Sequence, residues 1–133
     1  MISILNDEFA TILVYPEKSI IHHTFHQPVK GENFRRVLQT AADAYIKHKC
    51  KKWLSDDRNN GVIHFSDMEW AEKLWLEFVV PSGWRYWAVL PSNKIKVQVN
   101  FQEIISAFRD RGVIIELFHD VEKAMNWLDS KQV

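Results

Sequence analysis

The segment Trp84–Leu90, WRYWAVL, restricts the fold of this chain more than any other. Its aromatic and branched residues favour extended backbone, and they fall at successive positions instead of alternating with polar ones. A strand that is apolar on both faces has to be covered on both, which places it inside a sheet with helices on either side. Val113–Phe118, VIIELF, has the same character and reads as a second buried strand. Lys51–Asp56, KKWLSD, reads as a shorter one, closed by the polar turn Asp57-Arg58-Asn59-Asn60-Gly61.

Segments of helical period lie between these strands. Phe34, Val37, Leu38, Ala41 and Tyr45 share one helical face, in a helix predicted from Asn33 to about Lys49. Ser66-Asp67-Met68-Glu69 has a capping-box pattern, in which Ser66 accepts from a first-turn amide and Glu69 reaches back to the cap. Behind it Trp70, Ala71, Leu74, Trp75 and Phe78 form a broad apolar stripe, stopped by Pro81-Ser82-Gly83. Asn100 opens a third helix with Phe101, Ile104, Ile105 and Phe108 inward, and Gly112 suits its C-terminal cap. Asp120 caps a fourth, with Val121, Ala124, Met125 and Leu128 inward. Pro91–Lys96 reads as a loop. At the N-terminal end, Glu8–Pro16 and Ser19–His26 read as strands joined by a short connection, hence a hairpin.

The order β-β-α-β-α-β-α-β-α predicts an α/β fold, with residues 1–133 as one domain. Strands alternating with helices imply crossovers, so the expected sheet is mostly parallel, five-stranded and antiparallel at its first strand, with four helices.

Charge removes one class of function. Lys plus Arg is 17 and Asp plus Glu is 17, whereas binding nucleic acid needs a basic surplus against phosphate. No stretch reaches the ~20 apolar residues of a membrane span. Met1–Ala10 carries Asp7 and Glu8 without a basic run, so no signal peptide is expected. A lone Cys50 excludes an internal disulfide framework, and a cytoplasmic location is expected.

Few constellations suggest chemistry. His22 and His26 share a strand face about 13 Å apart, too far for one zinc ion with bonds of ~2.0–2.1 Å, and His23 points the other way. Asp56 and Asp57 follow a strand's C-terminal end, where α/β sheets place their crevices. Two adjacent carboxylates there could act as acid and base or hold a cation, and they are also ordinary turn residues. Ser55, His64 and the acids make a triad only on paper, without a Gly-x-Ser-x-Gly elbow. No phosphate-binding glycine loop is present, and neither a metal nor a cofactor is expected. Lysines around Cys50 could activate its thiol or simply complement a helix C-terminus. Trp53, Trp75, Trp84 and Trp87 concentrate in one region, as a large aromatic core or as the wall of a pocket or subunit interface.

The strand–helix order resembles the STAS domain of sulfate transporters and anti-sigma-factor antagonists, and more closely the small stand-alone bacterial SpoIIAA-like proteins. Lys51–Asn59 (KKWLSDDRN), Gly83–Leu90 (GWRYWAVL) and Val113–Leu128 (VIIELFHDVEKAMNWL) carry the resemblance. It implies a β/α superhelix and a non-enzymatic regulatory or protein-interaction module. In the antagonists a serine at the start of the second helix is phosphorylated. Ser66 is the matching position, though it stands in HFSDM and not in a DSSG-like run. On this reading Ser66 and the neighbouring turn, Ser55, Asp56, Asp57 and Arg58, face a protein partner. The alternative is a small apolar ligand in a Trp-lined pocket, with Asp56 or Arg58 as its polar anchor. A hydrolase-type enzyme using Asp56 and Asp57 is the third reading. A homodimer is compatible with each.

Overall fold

The expected N-terminal hairpin has a third strand. In a computed structural model describing residues 1–133, β1 (Ile2–Asn6) pairs antiparallel with β2 (Ala10–Tyr15), which pairs antiparallel with β3 (Ile20–Phe25). The turn between β1 and β2 is built by Asp7, whose Oδ1 accepts the amides of Phe9 at 2.8 Å and Ala10 at 2.9 Å. Local capping of this kind is what short acidic turn residues do well. β1 is a half-exposed edge strand.

From β3 onward every pairing is parallel: β3 with β4 (Lys52–Asp57), β4 with β5 (Tyr86–Pro91), and β5 with β6 (Ile114–Leu117). The six strands lie side by side in chain order. The fold is therefore α/β, with a mixed sheet of six strands in place of the expected five and antiparallel pairing on one side.

Five helices accompany the sheet. α1 (Gly31–Lys47), α2 (Phe65–Leu74) with the turn that follows it, and α4 (Phe101–Asp110) cover one face, burying Phe34, Tyr45, Trp75 and Phe108 against Ile21, Trp53, Trp87 and Ile115. Those four strand residues stand in register across β3 to β6. α5 (Val121–Asp129) covers the other face, packing Ala124 and Leu128 on Ile20, Leu54, Ala88 and Leu90. β5 is thus covered on both sides. The additional helix is α3 (Asn93–Lys96), within the expected loop; Ser92 Oγ accepts the Ile95 amide at 3.2 Å and caps it.

α2 does not run as a regular helix to Phe78. After Leu74 it widens into a π turn, Trp75–Val79, then tightens into a 3₁₀ turn, Val80–Ser82, before Gly83 takes a φ of +113°. π turns inside helices recur at functional sites, and this one begins at a tryptophan that lines a cavity.

Candidate functional site

Successive side chains of a strand point to opposite faces, and this rule separates the candidates on β4. Trp53, Ser55 and Asp57 face α1 and α2, whereas Leu54 and Asp56 face the α5 side. Asp56 and Asp57, taken from sequence as a pair, therefore diverge and form no joint acid–base or cation site.

Trp53 is fully buried at the centre of an aromatic cluster. Its ring lies 5.1 Å from Tyr45, 5.3 Å from Trp84 and 5.4 Å from Trp75. Trp75 in turn meets Trp87 edge-on at 5.3 Å, and Trp87 meets Phe108 at 5.2 Å. Such offset and edge-to-face contacts add to the area that each ring buries. Trp87 Nε1–H donates to Ser55 Oγ at 2.8 Å, so the Ser55 hydroxyl is used inside the core and is not displayed to a partner. His64 instead meets Ser66, and no Ser55–His64 arrangement forms.

His23 is the functional-looking residue that sequence reasoning passed over as an ordinary strand histidine. It is 1% exposed and hydrogen-bonded on both ring nitrogens. Trp53 Nε1 lies 2.9 Å from His23 Nδ1, and His23 Nε2 lies 3.1 Å from Asp57 Oδ1. An indole N–H can only donate. Nδ1 is therefore the bare acceptor, Nε2 carries the proton, and the ring donates it to Asp57. Doubly protonated His23 would point Nδ1–H at the indole N–H, so the contact with Asp57 is a hydrogen bond from a neutral ring and not an ion pair. The shared facing of His23, Trp53 and Asp57 follows from strand alternation and the β3–β4 register, and register is what the sequence does not display.

Asp57 also lines a cavity of about 50 Å³ above this floor. Trp75, Trp87, Phe34, Phe101 and Ile104 contribute to its apolar wall, and Glu72 is its second acid. On α2, Met68, Ala71 and Glu72 reach it together because they recur at helical spacing, and Trp75, the first residue of the π turn, continues that face. Trp75 is 8% exposed, and its Nε1 is buried without a hydrogen-bond partner. At one side the Gln98 side chain clasps Ile63: its Oε1 accepts the Ile63 amide at 3.0 Å and its Nε2 donates to the Ile63 carbonyl at 2.9 Å. Val62 and Val97, which flank the clasped residues in sequence, are exposed. Of the four candidate tryptophans, Trp75 and Trp87 line this cavity; Trp53 and Trp84 lie in the aromatic cluster beneath.

On the opposite face Asp56 is locked to Arg58, Oδ1 to Nε and Oδ2 to Nη2, each at 2.9 Å. Burial alone would raise the Asp56 carboxyl, but hydrogen bonds and charge from Arg58 outweigh it and hold the group below its ordinary range. Neither residue lines the Trp75 cavity, so neither is placed to be the polar anchor expected there; the polar residues in its lining are Asp57 and Glu72. His22 lies near Asp56, shares a hydrogen bond of 3.2 Å with Thr24 Oγ1, and is pushed by burial down to about 4. His26 is exposed and bonded to Thr11 at 2.8 Å, so the three histidines occupy three separate settings.

The capping role expected of Ser66 is not the one observed. α2 begins at Phe65 with His64 at the cap position, and no side chain caps it. Ser66 is exposed, with its Oγ 3.2 Å from His64 Nδ1. The next residue, Asp67, is buried and caps a different helix. Its Oδ2 accepts the Gly31 amide at the start of α1 at 2.8 Å, and its Oδ1 accepts Arg35 Nε at 3.1 Å. Ser66, His64, Arg35 and Lys30 rim an open polar recess of about 360 Å³ above that contact. Cys50 is buried, and burial pushes its thiol up to about 11 against the opposing pull of Lys51, so the lysines do not activate it.

No helix is long and apolar enough to cross a membrane. No protein-family model, curated protein or solved structure matches the chain.

Proposed function

We propose that this protein is a non-enzymatic binding module whose ligand is a small molecule held in the cavity between α2, α4 and the sheet. The observation that carries the reading is the wall itself. Trp75 and Trp87 line an apolar hollow that has a carboxylate, Asp57, fixed from behind by His23. Largely apolar pockets with a few placed polar groups are the usual form of small-molecule sites. The sequential strand order fits the β/α superhelix of SpoIIAA-like proteins and supports placing the chain near them as a regulatory module.

The test is a titration with 1-hexanol, followed by methyl NMR of Ile63, Ile95 and Ile104. Saturable shifts at these methyls are expected. Ala71→Leu should fill the hollow and abolish them while leaving the fold intact. Absence of saturable shifts in the native protein overturns the reading.

A second reading has its own observation. Ser66 is exposed beside Lys30, Arg35 and His64, and a phosphate there would lie near a helix N-terminus and basic groups. The adjacent Asp67 already has Arg35 and the Gly31 amide as partners, which lessens its repulsion of a phosphate. A phosphoserine switch that controls a protein partner is thus a compatible use of a different surface. Mass spectrometry of protein from the native host, with Ser66 unmodified under every growth condition, would remove it.

A further inference from the structure

We propose that the cavity selects an organic ammonium ion, with the charged head between the aromatic walls and the carboxylates of Asp57 and Glu72. This rests on the small-molecule reading above and adds the charge of the ligand to it.

The argument begins with the balance of charge. Twelve residues line the cavity, ten of them apolar, and the remaining two, Asp57 and Glu72, are both acids. No lysine, arginine or histidine is among them. The nearby guanidinium groups are engaged elsewhere, Arg35 with Asp67 and Arg58 with Asp56. His23 supplies Asp57 with a hydrogen bond but no charge, because Trp53 holds it as the Nε2–H tautomer. The protein thus brings two negative groups to an apolar hollow without a cation of its own. Charge in such surroundings is costly unless it is paired, so a cation entering the hollow gains the pairing that the chain leaves unmade.

The walls favour the same ligand. Trp75, Trp87, Phe34 and Phe101 all contribute to the lining, and aromatic faces attract cations, most strongly at tryptophan. Carboxylate plus aromatic surface is the combination that recognises alkylated ammonium groups. An anionic ligand would meet two like charges, and a purely apolar one would leave both acids without a partner charge. The unpartnered Trp75 Nε1–H calls for a neutral acceptor oxygen, from the ligand or a water, and does not offset two carboxylates. The size agrees. About 50 Å³ is several times the room of roughly 10–15 Å³ that one water needs, so a head group and its first carbons fit, and a longer tail has to leave toward solvent.

The experiment compares three probes with the same six-carbon chain, hexylammonium, 1-hexanol and hexanoate, by calorimetric titration at pH 7 and equal ionic strength. Hexylammonium should bind about tenfold more tightly than hexanol, and hexanoate most weakly. Asp57→Asn keeps an oxygen to accept the His23 Nε2–H and should lose most of the ammonium preference, read as the ratio of hexylammonium to hexanol affinity. Glu72→Gln, on the half-exposed side of α2, should lose part of it and serves if Asp57→Asn does not fold. Hexanol binding as tightly as hexylammonium overturns the ammonium inference and leaves the small-molecule reading standing. Failure of all three probes to bind overturns both. An ammonium preference that survives in both variants places the cation elsewhere on the protein and overturns the inference.

Discussion

The indole Nε1–H of Trp53 donates to Nδ1 of His23 across 2.9 Å, inside a core where neither residue meets solvent. This bond decides which way His23 faces the cavity acid, since it leaves only Nε2–H for Asp57. At pH 7, NMR of the His23 ring should show a protonated Nε2 and a bare Nδ1. Trp53→Phe keeps an aromatic ring but leaves Nδ1 buried without a donor. The orphaned nitrogen alone should cost about 1–3 kcal/mol, read as a lower urea midpoint at unchanged slope. An equally stable Trp53→Phe would mean that His23 takes its tautomer from something other than Trp53.

Asp67 and Ser66 are neighbours with opposite weight. Asp67 is buried and holds the Gly31 amide and Arg35, tying the start of α1 to α2. Asp67→Ala removes a charged acceptor from a helix-start amide and should cost about 1–3 kcal/mol. Ser66 caps nothing, so Ser66→Ala should stay within about 0.5 kcal/mol of the native protein. Thermal or urea unfolding of the two variants settles the order. A loss near 1 kcal/mol for Ser66→Ala would restore the capping role that the sequence pattern suggests.

That pair shows where the sequence was legible and where it was not. Buried strands such as Tyr86–Pro91 and the α1 stripe were plain because apolar residues recur at the period of the element. The edge strand β1 has apolar residues at Ile2, Ile4 and Leu5, but at five residues it is too short for a period to stand out. Pro91–Lys96 has the composition of a loop, yet Ser92 caps one helical turn within it. The site was half legible. Trp75, Trp87 and Asp57 stood among the candidates, but His23 did not, because its role depends on the register of β3 against β4, a long-range property. Asp56 was paired with Asp57 by adjacency, although strand geometry sends neighbours to opposite faces. Asp67 was missed because its partners lie more than 30 residues away in the chain.

Gly83 ends the α2 region with a φ of +113°, and a Cβ there would run into the Lys51 side chain, which itself donates to the Ser82 carbonyl at 3.2 Å. Residues with a Cβ pay about 1–2 kcal/mol for left-handed backbone. Gly83→Ala should therefore lower stability by about that much, and combining it with Lys51→Ala should return only the part due to the collision. A chemical-denaturation series on the single and double variants separates the two. Gly83→Ala at native stability would show that the turn can relax to an ordinary conformation.

His22 makes the fold sensitive to mild acid. Burial lowers its pKa from 6.5 to about 4 in the native state, while in the unfolded chain it keeps the ordinary value. Between those values the unfolded state binds more protons, so stability falls as pH drops from about 6.5 toward 4 and is fully present above that window. At ~1.4 kcal/mol per pKa unit, the loss is at most on the order of 3 kcal/mol. His22→Gln keeps a polar partner for Thr24 but cannot titrate, so its urea stability should fall less than that of the native protein across this window. At lower pH, as Asp56 and Asp7, both held below the ordinary carboxylate value, take up protons, the two proteins should lose stability together. Parallel stability curves for native and His22→Gln protein between pH 6.5 and 4 would assign the acid sensitivity to other groups.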